Sequence, residues 1–183
     1  MHISQLKKYY FIDDFNPIHL KDLDKNIALI WRNKKKENDL IAITKLSNFC
    51  KRNNIKLFLS NNIKLAIKLN LNGVYISSYN KNIRCGNYTL KKEFKLIGSA
   101  HNLKEISLKK IQKVQEIFIS PIFKNKGNKA LGIHKCKYFY TDSSFKKIAL
   151  GGVNEKNIKL LKFTTFSGFA GIEMFKKKGP KFL

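Results

Sequence analysis

Lys56 to Ser77 reads KLFLSNNIKLAIKLNLNGVYIS. Two short apolar runs, Lys56–Ser60 and Gly73–Ser77, flank a stretch with Leu65, Ala66 and Leu69 at helical spacing. The flanking runs are continuously apolar rather than alternating, which suits strands buried on both faces of a parallel sheet. A parallel pair needs a crossover, and a helix over Asn61 to Leu71 supplies it. The stretch therefore reads as a strand–helix–strand unit.

Similar runs recur on both sides of it. They are Tyr9–Ile12, Ile27–Trp31, Phe94–Ser99, Glu116–Ser120, Lys147–Gly152 and Gly168–Glu173, which brings the candidate strands to eight. Helical patterns lie between several of them. Asp39 to Arg52 carries a stripe of Leu40, Ile43, Leu46 and Phe49. Asn102 to Lys113 carries Leu103, Ile106 and Ile111 behind Asn102 as N-cap, and Asn154 to Phe163 carries Ile158 and Leu161 behind Asn154.

Strands alternating with helices eight times predict a (β/α)8 barrel. Such barrels run to about 250 residues. A chain of 183 residues must have short or missing helices, notably between Ser77 and Phe94 and between Gly132 and Lys147. An open doubly wound sheet is the alternative. The expected organisation is one domain over 1–174 and a basic tail over 175–183, FKKKGPKFL.

Composition narrows the function. The chain is 43% hydrophobic with 14 Phe and 7 Tyr, a globular rather than a disordered profile. No long uncharged apolar run predicts a membrane span, and MHISQLKKYYFIDDF lacks the features of a signal peptide. Cys50, Cys85 and Cys136 are widely spaced and odd in number, which predicts reduced thiols in the cytoplasm. The net charge of +25 predicts attraction to polyanions. Its lysines are spread along the chain without a nucleic-acid motif, so a phosphorylated small molecule is the better partner than nucleic acid. The sequence leaves the oligomeric state open, a homo-oligomer included.

In barrels, binding residues follow the carboxyl ends of the strands. Here those positions hold Arg32 and Lys34; Ser60, Asn61 and Asn62; Ser77, Ser78 and Asn80; Ser99 and His101; Pro121 to Lys129; Gly151 and Gly152; and Glu173. This rim is cationic and poor in carboxylates. Two glycines before a helical stretch leave backbone N–H groups to face an anion, with a tight turn as the plain alternative.

Five blocks on this rim resemble the thiamine phosphate synthase/TenI family in order and spacing. IWRNK is similar to the family's Q-x-R-x-K. LSNNIKLAIKLNLNGVYISSYN is similar to its N-D-R-x-x-x-A and G-x-H-x-x-x-x-D. IGSAHN resembles G-x-S-x-H, SPIFKNKGNKALG resembles G-P-x-F-x-T-x-x-K, and IALGGVN resembles the GGI block. The resemblance spans nearly the whole chain. It implies a transferase that joins hydroxymethylpyrimidine diphosphate to a thiazole phosphate, with magnesium assisting diphosphate departure. It places Arg32 and Lys34 on the diphosphate, Ser99 on the pyrimidine, and Gly151 and Gly152 on the thiazole phosphate. TenI-like members have a histidine where this chain has Pro121, so the synthase branch is favoured; the nearby histidine is His134.

The departures from the family pattern concern charge. Its two magnesium aspartates correspond to Asn61 and Asn80, its first-block glutamine to Ile30, and a late serine to Glu173. Magnesium prefers carboxylate and water oxygen, so two amides weaken the case for that cofactor. Lys124, Lys126 or Lys129 can instead neutralise phosphate directly, with Lys129 beside Arg32 and Lys34 in the catalytic set and Lys126 among the substrate contacts. The alternatives are a non-catalytic relative that binds a thiazole or pyrimidine phosphate and, on charge alone, a nucleic-acid binder.

Overall fold

Strand β1 (Lys7–Ile12) begins a ring of parallel strands continued by β2 (Ile27–Trp31), β3 (Leu57–Ser60) and β4 (Gly73–Ile76). β5 (Lys95–Ala100), β6 (Glu116–Ile119), β7 (Lys146–Ala149) and β8 (Phe166–Gly171) complete it. Each strand pairs with the next and β8 pairs back onto β1, so the sheet closes into a barrel and the open-sheet alternative is overturned. This computed structural model describes residues 3–33, 39–124, 130–133, 135–136 and 144–176.

Past their first residues the strands are mostly apolar because both faces are covered. Tyr9, Phe11, Ile30, Phe58, Tyr75, Ile97, Phe118 and Ile148 fill the interior. The intervening residues, such as Tyr10, Leu29, Leu57 and Val74, belong to the outer layer against helices. The interior is aromatic: Phe118 lies 4.9 Å from Tyr9 and 5.6 Å from Tyr75, ring to ring and edge to face. Such pairs contribute about 0.5–1.5 kcal/mol each beyond their buried area.

The helices are short. α1 is Pro17–Lys21, α2 Leu40–Arg52, α3 Ile63–Lys68, α4 Leu103–Ile111 and α5 Glu173–Lys176. Asn16, Asp39, Asn62 and Asn102 cap the first four, each side chain accepting from first-turn amides. Between β4 and β5 there is only a 3-10 turn, Ile83–Asn87, as the chain length requires. The loop between Gly132 and β7 lies largely outside the described residues.

Three local expectations change. Ile158–Phe163 is a 3-10 helix rather than an α-helix from Asn154. The Asn154 side chain instead closes a turn by accepting from Lys156 N and Asn157 N, while Ile158 and Leu161 still face the core. In α2, Leu40 is 51% exposed and the inner face runs through Ile43, Leu46, Ser47 and Cys50. In α4, Leu103 and Ile111 are exposed while Ile106 and Lys109 point inward. Near the last described residues, Phe175 is fully buried and its ring stacks on Phe169 at 6.1 Å. Among the described residues no helix is long and apolar enough to cross a membrane.

Candidate functional site

A cavity of about 420 Å³ opens at the carboxyl ends of the strands. Arg32 after β2, His101 after β5, Ser120 and Lys124 after β6, and Gly151 and Gly152 after β7 line it. Tyr75 of β4 and Glu173 of α5 complete its wall.

The two glycines are dictated by crowding and by backbone conformation. Gly151 has φ +86° and Gly152 has φ +71°, both left-handed. A Cβ at Gly151 would lie 2.9 Å from Pro121 Cα, and one at Gly152 2.6 Å from Phe123 O. The loop after β6 therefore packs directly on this turn, pinned by Phe123 N donating to Gly151 O at 3.1 Å. The same turn leaves the N–H groups of Gly151, Gly152 and Val153 without a hydrogen-bond partner among the described residues. Successive free amides beside a cavity form an anion-binding concavity.

The Arg32 guanidinium sits 4.5 Å over the Phe11 ring, a cation–π contact that holds it at the mouth. Beneath it the Tyr75 hydroxyl is buried. Burial raises its pKa, opposed by its hydrogen bond with Ser99 and by the positive charge of Arg32. Ser99 is 3% exposed and thus reaches the cavity only through Tyr75. Tyr75 is a residue that sequence reasoning missed. Its sole signal was an aromatic near the end of the GVYIS strand.

His101 is fixed by both neighbours in the fold. Its backbone N–H donates to Glu105 Oε2 at 2.7 Å, and its Nδ1 lies 2.9 Å from Ser120 O. A carbonyl can only accept, so Nδ1 carries a proton and donates it to this bond. Glu173 is exposed on the same rim and places one carboxylate among these donors.

Asn61 and Asn80 meet each other rather than the cavity. Asn61 Oδ1 accepts from Ser77 N at 3.0 Å and from Asn80 Nδ2 at 3.2 Å. Asn61 Nδ2 donates to Ser77 Oγ at 3.0 Å and to the Tyr79 hydroxyl at 2.9 Å. Asn80 Oδ1 accepts from Asn82 N. Behind this loop the Lys109 ammonium, fully buried, donates to Ser77 O at 2.7 Å, Asn80 O at 3.2 Å and Gln112 Oε1 at 2.9 Å. Burial pushes its pKa down to about 8. Gln112 Nε2 adds donations to Asn80 O and Asn82 O. The amides satisfy one another, carry no negative charge and stand before a buried cation. This donor set does not fit magnesium. Among the described residues no three His, Cys, Asp or Glu side chains cluster to hold a metal.

The fold thus brings Arg32, Gly151 and Gly152 to one cavity together with His101, Lys124 and Glu173. Ser99 lies under its floor, and Asn61 lines a neighbouring cleft of about 280 Å³. Ile30 is buried inside the barrel. Lys34, Lys126, Lys129 and His134 lie outside the described residues. Cys50, Cys85 and Cys136 are buried free thiols.

The family model described as thiamine monophosphate synthase matches residues 23–175. A thiamine-phosphate synthase of Prochlorococcus marinus (strain AS9601) is 29% identical over 153 residues, which is 79% of this chain and 42% of that protein. The chain therefore spans about two fifths of the length of the curated relative it matches. Among solved structures, a thiamine phosphate pyrophosphorylase from Pyrococcus furiosus superposes with TM-score 0.73 at 16% identity, over 98% of this chain and 90% of that one. KGPDC from Streptococcus mutans superposes with TM-score 0.69 at 8% identity, over 96% of this chain and 92% of that one. At these identities the superpositions establish the barrel alone.

Proposed function

The chain belongs to the thiamine monophosphate synthase family, and we propose that it is a divergent transferase that joins hydroxymethylpyrimidine diphosphate to a thiazole phosphate without a protein-bound magnesium. The thiazole phosphate rests on the amides of Gly151, Gly152 and Val153. Arg32 meets the diphosphate, the role that the family resemblance also gives to Lys34, which with Lys126 and Lys129 lies outside the described residues. As the pyrimidine carbon–oxygen bond breaks, both electrons leave with the diphosphate, whose growing charge Arg32 and Lys124 stabilise. The thiazole nitrogen then attacks the pyrimidine carbocation with its lone pair. Burial of Tyr75 and Phe11 beneath the mouth excludes water from that cation.

The observation that carries this reading is the convergence of Arg32, Lys124 and the left-handed Gly151–Gly152 turn on one cavity. Incubating the purified chain with both substrates, with magnesium and with a chelator, tests it. Product in both conditions is expected. No product in either, where a control synthase turns over, overturns the catalytic reading.

The closed amide pair Asn61–Asn80 favours a second reading, a non-catalytic member that holds a thiazole or pyrimidine phosphate. Calorimetry decides its fate: saturable heat with no turnover supports it, and no heat with either ligand removes it. The reduced thiols and phosphorylated substrates support a cytoplasmic setting.

A further inference from the structure

The amino end of the barrel holds a second cavity, about 470 Å³, that shares no lining residue with the mouth. Strand alternation explains its lining. Tyr9, Phe58, Ile97, Phe118 and Ile148 face the barrel interior. Residues two earlier in the chain share that face, one layer lower. They are Lys7, Lys56, Lys95, Glu116 and Lys146. The lowest layer of the barrel is thus four lysines around one carboxylate.

Glu116 is 2% exposed, and both of its oxygens accept hydrogen bonds. Its Oε1 accepts from Lys7 and from Lys95 at 3.3 Å, and its Oε2 accepts from the Tyr9 hydroxyl. Lys56 and Lys146 have no ion-pair partner among the described residues. Lys8, at the cavity edge, pairs with Asp24 at 2.6 Å. Glu93 is the one carboxylate among the lining residues, and Glu116 touches the space through its bonds to Lys7 and Lys95. Lys7, Lys56 and Lys95 therefore border a space large enough for a small ligand, with Lys146 close enough to Lys7 to add to its positive surroundings. Burial lowers the Lys7 pKa, and Lys95 and Lys146 lower it further against the opposing pull of Glu116. A multivalent anion would relieve that repulsion.

We propose that this floor cavity is a second ligand site, taking a small molecule that bears a phosphate or diphosphate group. Lys7, Lys56 and Lys95 hold the anion, and Glu116, which accepts from Lys7 and Lys95, competes with it for their charge. The site does not depend on the reaction assigned to the mouth.

Titration of the ¹⁵N-labelled full chain with inorganic pyrophosphate tests it. Saturable amide shifts are expected at Lys7, Lys95 and Glu116, separate from any at Gly151 to Val153. Lys56→Gln and Lys95→Gln, both at exposed side chains, should each weaken the floor constant about tenfold and leave mouth shifts unchanged. Glu116→Gln should tighten it, with circular dichroism reporting that the variant folds. Arg32→Gln should weaken the mouth alone. Floor shifts that never saturate, or that ignore both lysine substitutions, overturn the proposal by assigning the effect to diffuse surface attraction. A saturating floor beside a silent mouth supports it while removing phosphate binding at the mouth.

Discussion

The two ends of this barrel are both cationic, yet they are built by different means. At the mouth, positive potential comes from Arg32, Lys124 and bare main chain at Gly151–Val153, all on loops after strands. At the floor it comes from side chains in strand register around Glu116, a carboxylate whose two oxygens both accept hydrogen bonds. The mouth can change its chemistry by changing loops. The floor is tied to the pleat, so altering it disturbs the barrel itself.

The strongest way to break the contrast is to remove what separates the two ends. Phe118 is fully buried between Tyr9 below and Tyr75 above. Phe118→Ala should cost about 3–5 kcal/mol, read by chemical denaturation. Gly152→Val should come next, at about 2–3 kcal/mol, because it forces a branched side chain to φ +71° and against Phe123 O. It should abolish phosphate binding at the mouth in calorimetry and spare the floor.

Glu116 sharpens the comparison through pH. Burial alone would raise its pKa, but Lys7, Tyr9 and Lys95 together hold the folded carboxyl below its ordinary value of 4.5. A folded pKa below the unfolded one contributes stability above the unfolded value, lost as pH falls through the folded one. Thermal melts at decreasing pH should show that loss below about pH 4.5. Glu116→Gln should flatten this limb while costing of order 1–2 kcal/mol at neutral pH. The smallest effect belongs to the floor's outer edge. Asp24 is 36% exposed but its partner Lys8 only 5%, so Asp24→Asn should cost about 1 kcal/mol and be weakened, not abolished, by high salt.

Much of the barrel was legible because its signals are local. Continuous apolar runs marked every strand, and Asn62 and Asn102 marked helix starts that the structure keeps. Glycines after the seventh run marked the turn at Gly151–Gly152, although the cause is the β6 loop as much as any ligand. The candidate site was legible only in part. Arg32 and His101 follow strands and so could be listed by position, whereas Tyr75 looks like any core aromatic until Ser99 and Arg32 meet its hydroxyl.

Residue periodicity alone determined that eight strands alternate with short crossovers, because burial on both faces demands an unbroken apolar run. Only the tertiary structure decided that Lys109 enters the core while Leu103 and Ile111 stay out, since the carbonyls of Ser77 and Asn80 that receive its protons come from about 30 residues earlier in the chain. The same holds for Asn61 and Asn80. Their spacing reveals two polar positions, but that they bond to each other depends on a strand pairing no local pattern contains.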